Sequence, residues 1–236
     1  MYYGGYGYYS LDPTYILVIL CAVVSCIASA RVNSVFSKYN RVLSERGLTG
    51  AEAAHRILQS AGIYDVSVEH VSGKLSDHYD PRSKVLRLSD STYNSRSVAA
   101  IGVAAHECGH AIQHDVGYAP LGLRSTLVPI ANIGSKAAIP IILIGCILSY
   151  NQMLIQIGII AFSAAVLFQL VTLPVEFNAS SRALALLREQ NILVDREAGM
   201  AKKVLSAAAM TYVAAAAASI VQLLRLVLLF GGRRRD

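Results

Sequence analysis

The sequence predicts a membrane α-helical protein that carries a small α+β domain at the membrane surface, and three observations lead to that fold class. Of 236 residues, 54% are hydrophobic and only 15% charged, with a mean hydropathy of +0.47. Soluble domains run roughly 45–50% apolar and about 25% charged. Apolar runs at residues 14–30, 125–149, 152–173 and 207–230 give about four hydrophobic helices, three of them long enough to span a bilayer and the first at the short limit. Between and after them lie two polar intervals, 31–124 and 174–206, and the first mixes helical and strand periodicities.

The charge balance narrows the partners. Net charge is +6 and the pI is near 9.2, but the Lys and Arg residues cluster beside apolar segments. That distribution fits anchoring at a lipid bilayer. No nucleic-acid partner is expected, because aromatic and basic residues are not interleaved as base stacking requires. Cys21, Cys26, Cys108 and Cys146 form no C-x-x-C pair and three lie in apolar runs, so no disulfide framework is expected.

Residues 1–13 form a Tyr/Gly tail, which suits an interfacial aromatic belt and a disordered tail equally. Residues 14–30 read as a transmembrane helix followed by Arg31, Lys38, Arg41 and Arg46. Ala28-Ser29-Ala30 resembles a signal-peptidase site and Val23-Val24-Ser25-Cys26 a lipoprotein box. A cleaved signal places its positive charges before the apolar run, and here they follow it, so an uncleaved anchor with its N-terminus outside is expected. Thr49-Gly50-Ala51-Glu52 is a capping box opening a helix. Val66-Ser67-Val68-Glu69-His70-Val71 and Lys84-Val85-Leu86-Arg87-Leu88 alternate as strands, with a turn at Ser72-Gly73-Lys74. Asp77-His78-Tyr79-Asp80-Pro81 reads as a polar loop between them. His78 and Asp80 could reach a metal or substrate there, although surface turn residues are the commoner case. The strand preceding the next helix offers an edge to which an extended peptide could add.

That next helix, residues 95–116, carries His106-Glu107-Cys108-Gly109-His110 and stops at Gly117. Histidines four apart project from one face of a helix and suit two positions of a tetrahedral zinc, at about 2.0–2.1 Å from each nitrogen. Glu107, between them, is placed to take a proton from a water as general base rather than to ligate. The surrounding valines and alanines leave polar side chains that are seldom buried without a partner. Small Cys108 and Gly109 let neighbouring structure approach the metal.

The apolar segments at 125–173 form a transmembrane hairpin around Tyr150-Asn151, and 174–206 is the second part of the polar domain. Zinc needs a third protein ligand and an open position. His114 lies eight residues past His106, about 12 Å along the helix, too far for one ion to bind both, so a role toward substrate or in support of a ligand suits it better. Glu176 is the better candidate. It follows Pro174, which is expected to open a new helix and place this acid in its first turn. Residues 207–236 form a last apolar helix with a basic tail. Four spans with the N-terminus outside would put Arg233-Arg234-Arg235 outside too, against the positive-inside rule. Either the Ala-rich part packs in the domain or the last helix does not fully cross.

From Asp77-His-Tyr-Asp-Pro-Arg-Ser-Lys through His106-Glu-Cys-Gly-His-Ala-Ile-Gln, and again at Pro174-Val-Glu-Phe-x-Ala-Ser, the chain resembles the YugP-type bacterial membrane zinc metallopeptidases, over nearly its whole length. More distantly it is similar to the HtpX-like proteases. The resemblance implies a zincin-like catalytic domain with a gluzincin-type active-site helix: zinc on His106, His110 and Glu176, with Glu107 as base. Asn178 stands where the family pattern has Asp; an acid there could orient a ligand histidine, and Asn brings no charge.

The expected function is a multi-pass zinc metalloendopeptidase of the plasma membrane, its catalytic domain cytoplasmic, cutting membrane or unfolded proteins at the membrane surface. Its partners would be a peptide or protein substrate and the lipid bilayer, with a homo-oligomer or a membrane-protein partner left open. Arg182, His114 and His78 are candidates to stabilise the oxyanion. A scaffold with structural zinc and a protease cutting within the bilayer are the competing classes.

Overall fold

A computed structural model describes residues 13–230; most of the Tyr/Gly tail and the Arg233-Arg234-Arg235 cluster lie outside the described residues. The order is α1 (Pro13–Tyr39), α2 (Gly50–Ser60), β1 (Ser67–Val71), β2 (His78–Asp80), β3 (Val85–Ser89), α3 (Val98–Asp115), α4 (Ala119–Ile147), α5 (Gln152–Glu189) and α6 (Asp195–Phe230). The architecture is mostly helical with one small sheet.

Four helices, α1, α4, α5 and α6, are long and apolar enough to cross a membrane. Ile16, Ile27, Ile133, Ile147, Met153, Ile160 and Leu228 stand exposed along them. In water such a surface would be a large uncovered apolar patch; against lipid tails it needs no cover. α1 does not stop after residue 30. Its polar last turns continue the same helix to Tyr39, where Phe36 and Tyr39 pack on Ala99 and Val204. The first apolar helix therefore runs directly into the polar domain.

α4 and α5 form the expected hairpin, packed through glycines. A Cβ at Gly134 would meet the carbonyl oxygen of Ala161, and one at Gly158 would meet Ile142 Cγ1 and lie 2.9 Å from the carbonyl oxygen of Ala138. Where lipid supplies no hydrophobic drive, such close backbone approach is what holds helices together. Gly158→Val is expected to destabilise the detergent-solubilised protein by about 1–3 kcal/mol, read from its thermal unfolding.

α6 decides the course of the last apolar run. Gln152 Nε2, in the first turn of α5, donates to the carbonyl oxygen of Phe230 at 3.1 Å. Arg225 Nε donates to Thr14 Oγ1 at 3.2 Å, and its guanidinium lies 4.0 Å from the Tyr15 ring centroid. The end of α6 thus meets the starts of α1 and α5, so α6 runs the length of the bundle. Arg225 interrupts the apolar run at a place where partners await it.

The polar domain is built on α2, α3, the sheet and the inner turns of α5 and α6. Thr49 and Glu52 close the expected capping box, with Thr49 Oγ1 accepting from the Glu52 amide at 3.1 Å and Glu52 Oε2 from the Thr49 amide at 2.8 Å. Ile57, Leu58, Leu86, Leu88 and Ile101 fill the core. β1 runs parallel to β3 with Val68 opposite Leu86, and β2 runs antiparallel on the other side with Tyr79 opposite Leu86. Two expectations are corrected here. The stretch expected as a polar loop at 77–81 contains strand β2. Consequently β3 is central with both edges filled, and the open edges belong to β1 and β2. Asp77 accepts from the Ser89 amide and hydroxyl at 2.8 and 2.9 Å, and this local bonding makes a polar segment into an edge strand.

Candidate metal centre

α3 begins at Val98, three residues later than the start expected from the sequence. The Ser97 side chain caps it by accepting from the Ala100 amide at 3.1 Å, and Ser97 Oγ donates to Asn40 Oδ1 at 2.6 Å, which ties the helix to the end of α1. It ends at Asp115, and Gly117 follows in the left-handed region at φ 62°. Along its buried length His106, Glu107 and His110 point to one cavity.

The third group arrives on α5. A Cβ at Gly109 would lie 2.5 Å from the carbonyl oxygen of Ala179, so the two helices touch backbone to backbone at this glycine. Glu176, three residues earlier on α5, is thereby held opposite both histidines. Its position is not the first turn of a helix. Pro174 is inside α5, which continues unbroken from Gln152 to Glu189. The missing proline amide leaves one carbonyl without its bond, a loss that packed membrane helices tolerate. Helix-dipole stabilisation at an N-terminus therefore plays no part at Glu176. At 1.5 Å per residue α5 is about 57 Å long, well beyond the roughly 30 Å of a bilayer core.

Glu176 Oε2 lies 3.3 Å from His106 Nε2 and 3.7 Å from His110 Nε2. The three ligand atoms fall within 4.8 Å of one another, the metal-sized cluster of His, Cys, Asp and Glu found among the described residues. Two bonds of about 2.0–2.1 Å at a tetrahedral angle would separate donor atoms by about 3.3–3.4 Å, so the spacing suits zinc. Oε2 of Glu176 is buried and has no hydrogen-bond partner. A buried carboxylate oxygen left without a donor is costly, and a cation there would satisfy it. The donor set, two imidazoles and a carboxylate, is one that zinc accepts.

Neighbouring groups orient these ligands. Gln113 Nε2 donates to the carbonyl oxygen of Val175 at 2.8 Å and to Asn178 Oδ1 at 3.0 Å. The Gln113 amide is thus fixed with its oxygen toward His110, where it accepts from Nδ1 at 3.0 Å. With the proton on Nδ1, Nε2 presents its lone pair to the site. Ser180 Oγ lies 3.1 Å from His106 Nδ1 and serves His106 in the same way. Burial disfavours the His110 imidazolium, but the facing Glu176 carboxylate and the Glu107 charge outweigh it, so its pKa lies above the ordinary histidine value. A metal must displace that proton. Zinc uptake is therefore expected to weaken as pH falls through the raised value, read from zinc stoichiometry against pH.

The remaining sequence candidates divide. Glu107 is buried and borders a cavity of about 720 Å³ with the two histidines, and it is not one of the three clustered ligand groups. His114 and His78 border the same cavity. His114 Nδ1 lies 2.9 Å from the Tyr79 hydroxyl. Burial, with the charges of Asp65, Asp80 and Asp115, pushes the Tyr79 phenol up to about 12, so it stays protonated and can donate to His114. His78 Nδ1 donates to the carbonyl oxygen of Ser76 at 2.8 Å. Asp80 is spent on a turn, accepting from the Arg82 amide and the Ser83 hydroxyl at 3.0 and 2.7 Å. Arg182 does not border the cavity; its Nε donates to Asn178 Oδ1 at 2.8 Å. Asn178 does not touch a histidine but supports His110 at one remove, through Gln113. Cys108 faces the core, with Sγ 3.6 Å from the carbonyl oxygen of Ala54, and burial with the Glu107 charge pushes its thiol up.

Four residues at the site were given no role by sequence reasoning: Gln113 and Ser180, which bond the histidines, and Arg124 and Tyr212, which line the same cavity. Gln113 and Ser180 carried a faint signal, lying one turn beyond His110 and Glu176. Arg124 and Tyr212 sit on apolar helices that showed no motif.

Residues 14–231 match the model of a family described as "Putative neutral zinc metallopeptidase". The chain is 50% identical over 214 residues, 91% of its own length and 95% of the relative's, to a Bacillus subtilis (strain 168) protein described as "Putative membrane protease YugP". No solved structure matches the chain.

Proposed function

Because the chain belongs to this neutral zinc metallopeptidase family, we propose that it is a membrane-bound zinc endopeptidase of the gluzincin type, with a zincin-like catalytic domain, acting on proteins at the membrane surface. The observation that carries the reading is the convergence of His106 Nε2 and His110 Nε2 on the buried, unpartnered Oε2 of Glu176, with Glu107 on the wall of the same cavity. His106, His110 and Glu176 would hold the ion. When bound, zinc polarises a scissile carbonyl and lowers the pKa of a water toward about 7. Glu107 takes the proton of the attacking water and delivers it to the leaving amine. His114, held by Tyr79, keeps its Nε2–H for the cavity and can donate to charge that develops on the carbonyl oxygen.

The cavity walls favour a substrate class. On one side stands β2, whose open edge can pair with an extended peptide. On the other stand Arg124, Ser125 and Val128 from the start of α4, a membrane-length helix. A chain lying between them is at the surface of the bilayer, which supports membrane proteins and unfolded segments near the membrane as substrates. Cleavage within the bilayer is disfavoured, since two of the three ligands lie on α3, which is not one of the four membrane-length helices. A plasma-membrane location with the domain in the cytoplasm is part of the same proposal, resting on the basic residues after α1's apolar stretch.

The test is cleavage of an unfolded protein and of juxtamembrane peptides by zinc-loaded protein in detergent. Chelation is expected to abolish cleavage and added zinc to restore it. Stoichiometric zinc with no cleavage of either substrate would overturn the peptidase reading in favour of a scaffold.

A further inference from the structure

α4 brings to the metal centre a side chain that no sequence motif announces. Arg124 Nη1 lies 3.1 Å from Oε1 of Glu176, the oxygen opposite the one that faces the histidines. The carboxylate is 3% exposed and the guanidinium side chain 27% exposed, so the pair is held largely away from water. An ion pair at that depth, once formed, is costly to break from either side.

This arrangement separates the two carboxylate oxygens by task. A carboxylate with both oxygens free can turn both toward one ion. With Oε1 held by Arg124, only Oε2 is offered. Zinc sites that work as catalysts need a position not filled by protein, and a second oxygen from Glu176, added beside a water there, would make the ion five-coordinate and crowd that position. We propose that Arg124 is a positioning residue that restricts Glu176 to one-oxygen ligation and so keeps a coordination position open. Arg124 lies in the second turn of α4, so the open position also depends on how this membrane-length helix is seated against α5. The inference rests on the metal-centre reading given above.

Cobalt(II) in place of zinc tests it, because four-coordinate cobalt absorbs visible light much more strongly than five-coordinate cobalt. Arg124→Met keeps the packing of the stem and removes the charge, Arg124→Gln keeps polarity without the fork, and Arg124→Lys keeps the charge. The parent is expected to give a four-coordinate spectrum. Both neutral variants are expected to shift toward the weaker five-coordinate spectrum, with kcat falling about 10- to 100-fold and KM little changed. Arg124→Lys is expected to restore much of the parent spectrum. Parent-like spectra in whichever neutral variant folds would overturn the inference. Should the parent itself bind no cobalt, or bind it undisturbed by His106→Ala, the metal-centre reading fails instead, and the two failures are thereby told apart.

Discussion

Glu107→Gln is expected to leave zinc binding intact and to lower peptide hydrolysis by at least about 10²–10⁴-fold, the usual contribution of a positioned general base. Three observations set this expectation. Glu107 is buried on the wall of the cavity, the metal-sized cluster is complete without it, and both ligand histidines have their own orienting partners in Ser180 and Gln113. Glutamine has the same shape and can still accept a hydrogen bond, but it cannot carry a proton from a water to an amine. The variant should therefore fold, bind one zinc and do little else. Two measurements on one preparation decide it: zinc by elemental analysis and cleavage of an unfolded substrate. A variant that cleaves at the parent's rate would remove Glu107 from the proposed chemistry.

Gly109→Ala is expected to damage the centre without touching a ligand. In an isolated helix the change is favourable, by about 1 kcal/mol. Here the new Cβ would lie 2.5 Å from the carbonyl oxygen of Ala179 and 3.1 Å from its Cα, both main-chain atoms that cannot rotate aside. α5 must move away from α3, and Glu176 moves with it. Overpacking of this kind costs about 1–3 kcal/mol, so a net loss of stability together with weaker zinc binding is expected. Gly102→Ala is a milder companion, since its Cβ would meet the Ala201 methyl at 3.2 Å and the Ala201 Cα at an ordinary 3.6 Å. Thermal unfolding and competition with a chromophoric chelator read the two quantities. A Gly109→Ala protein more stable than the parent, with zinc affinity unchanged, would show that the α3–α5 contact is not what places Glu176.

Several features were legible in the sequence because their causes are local. The apolar runs, the Thr49–Glu52 capping box, strands β1 and β3 and the helical spacing of His106 and His110 each follow from residues a few positions apart. Glu176 was also picked out, in part on a helix start at Pro174 that the structure does not share. The local rule that proline opens a helix gave way to tertiary packing, and α5 runs on through Pro174. β2 was missed for a related reason. Three polar residues carry no alternation worth reading, and it is pairing with β3, helped by Asp77, that makes them a strand.

By itself the sequence determined that the chain is membrane-bound by about four apolar helices and that one short helix presents two histidines and a glutamate in a metal-binding pattern. Periodicity and hydropathy are properties of a single segment, so they need no knowledge of its neighbours. Tertiary structure alone decided what stands opposite that pattern. Gln113 meets Val175 across 62 residues of sequence, and Arg124 meets Glu176 from a different helix of the hairpin. Such contacts depend on how close two helices can come, which is set by Gly109 against the Ala179 carbonyl between α3 and α5 and by Gly134 and Gly158 between α4 and α5, and no spacing within any one helix encodes those distances.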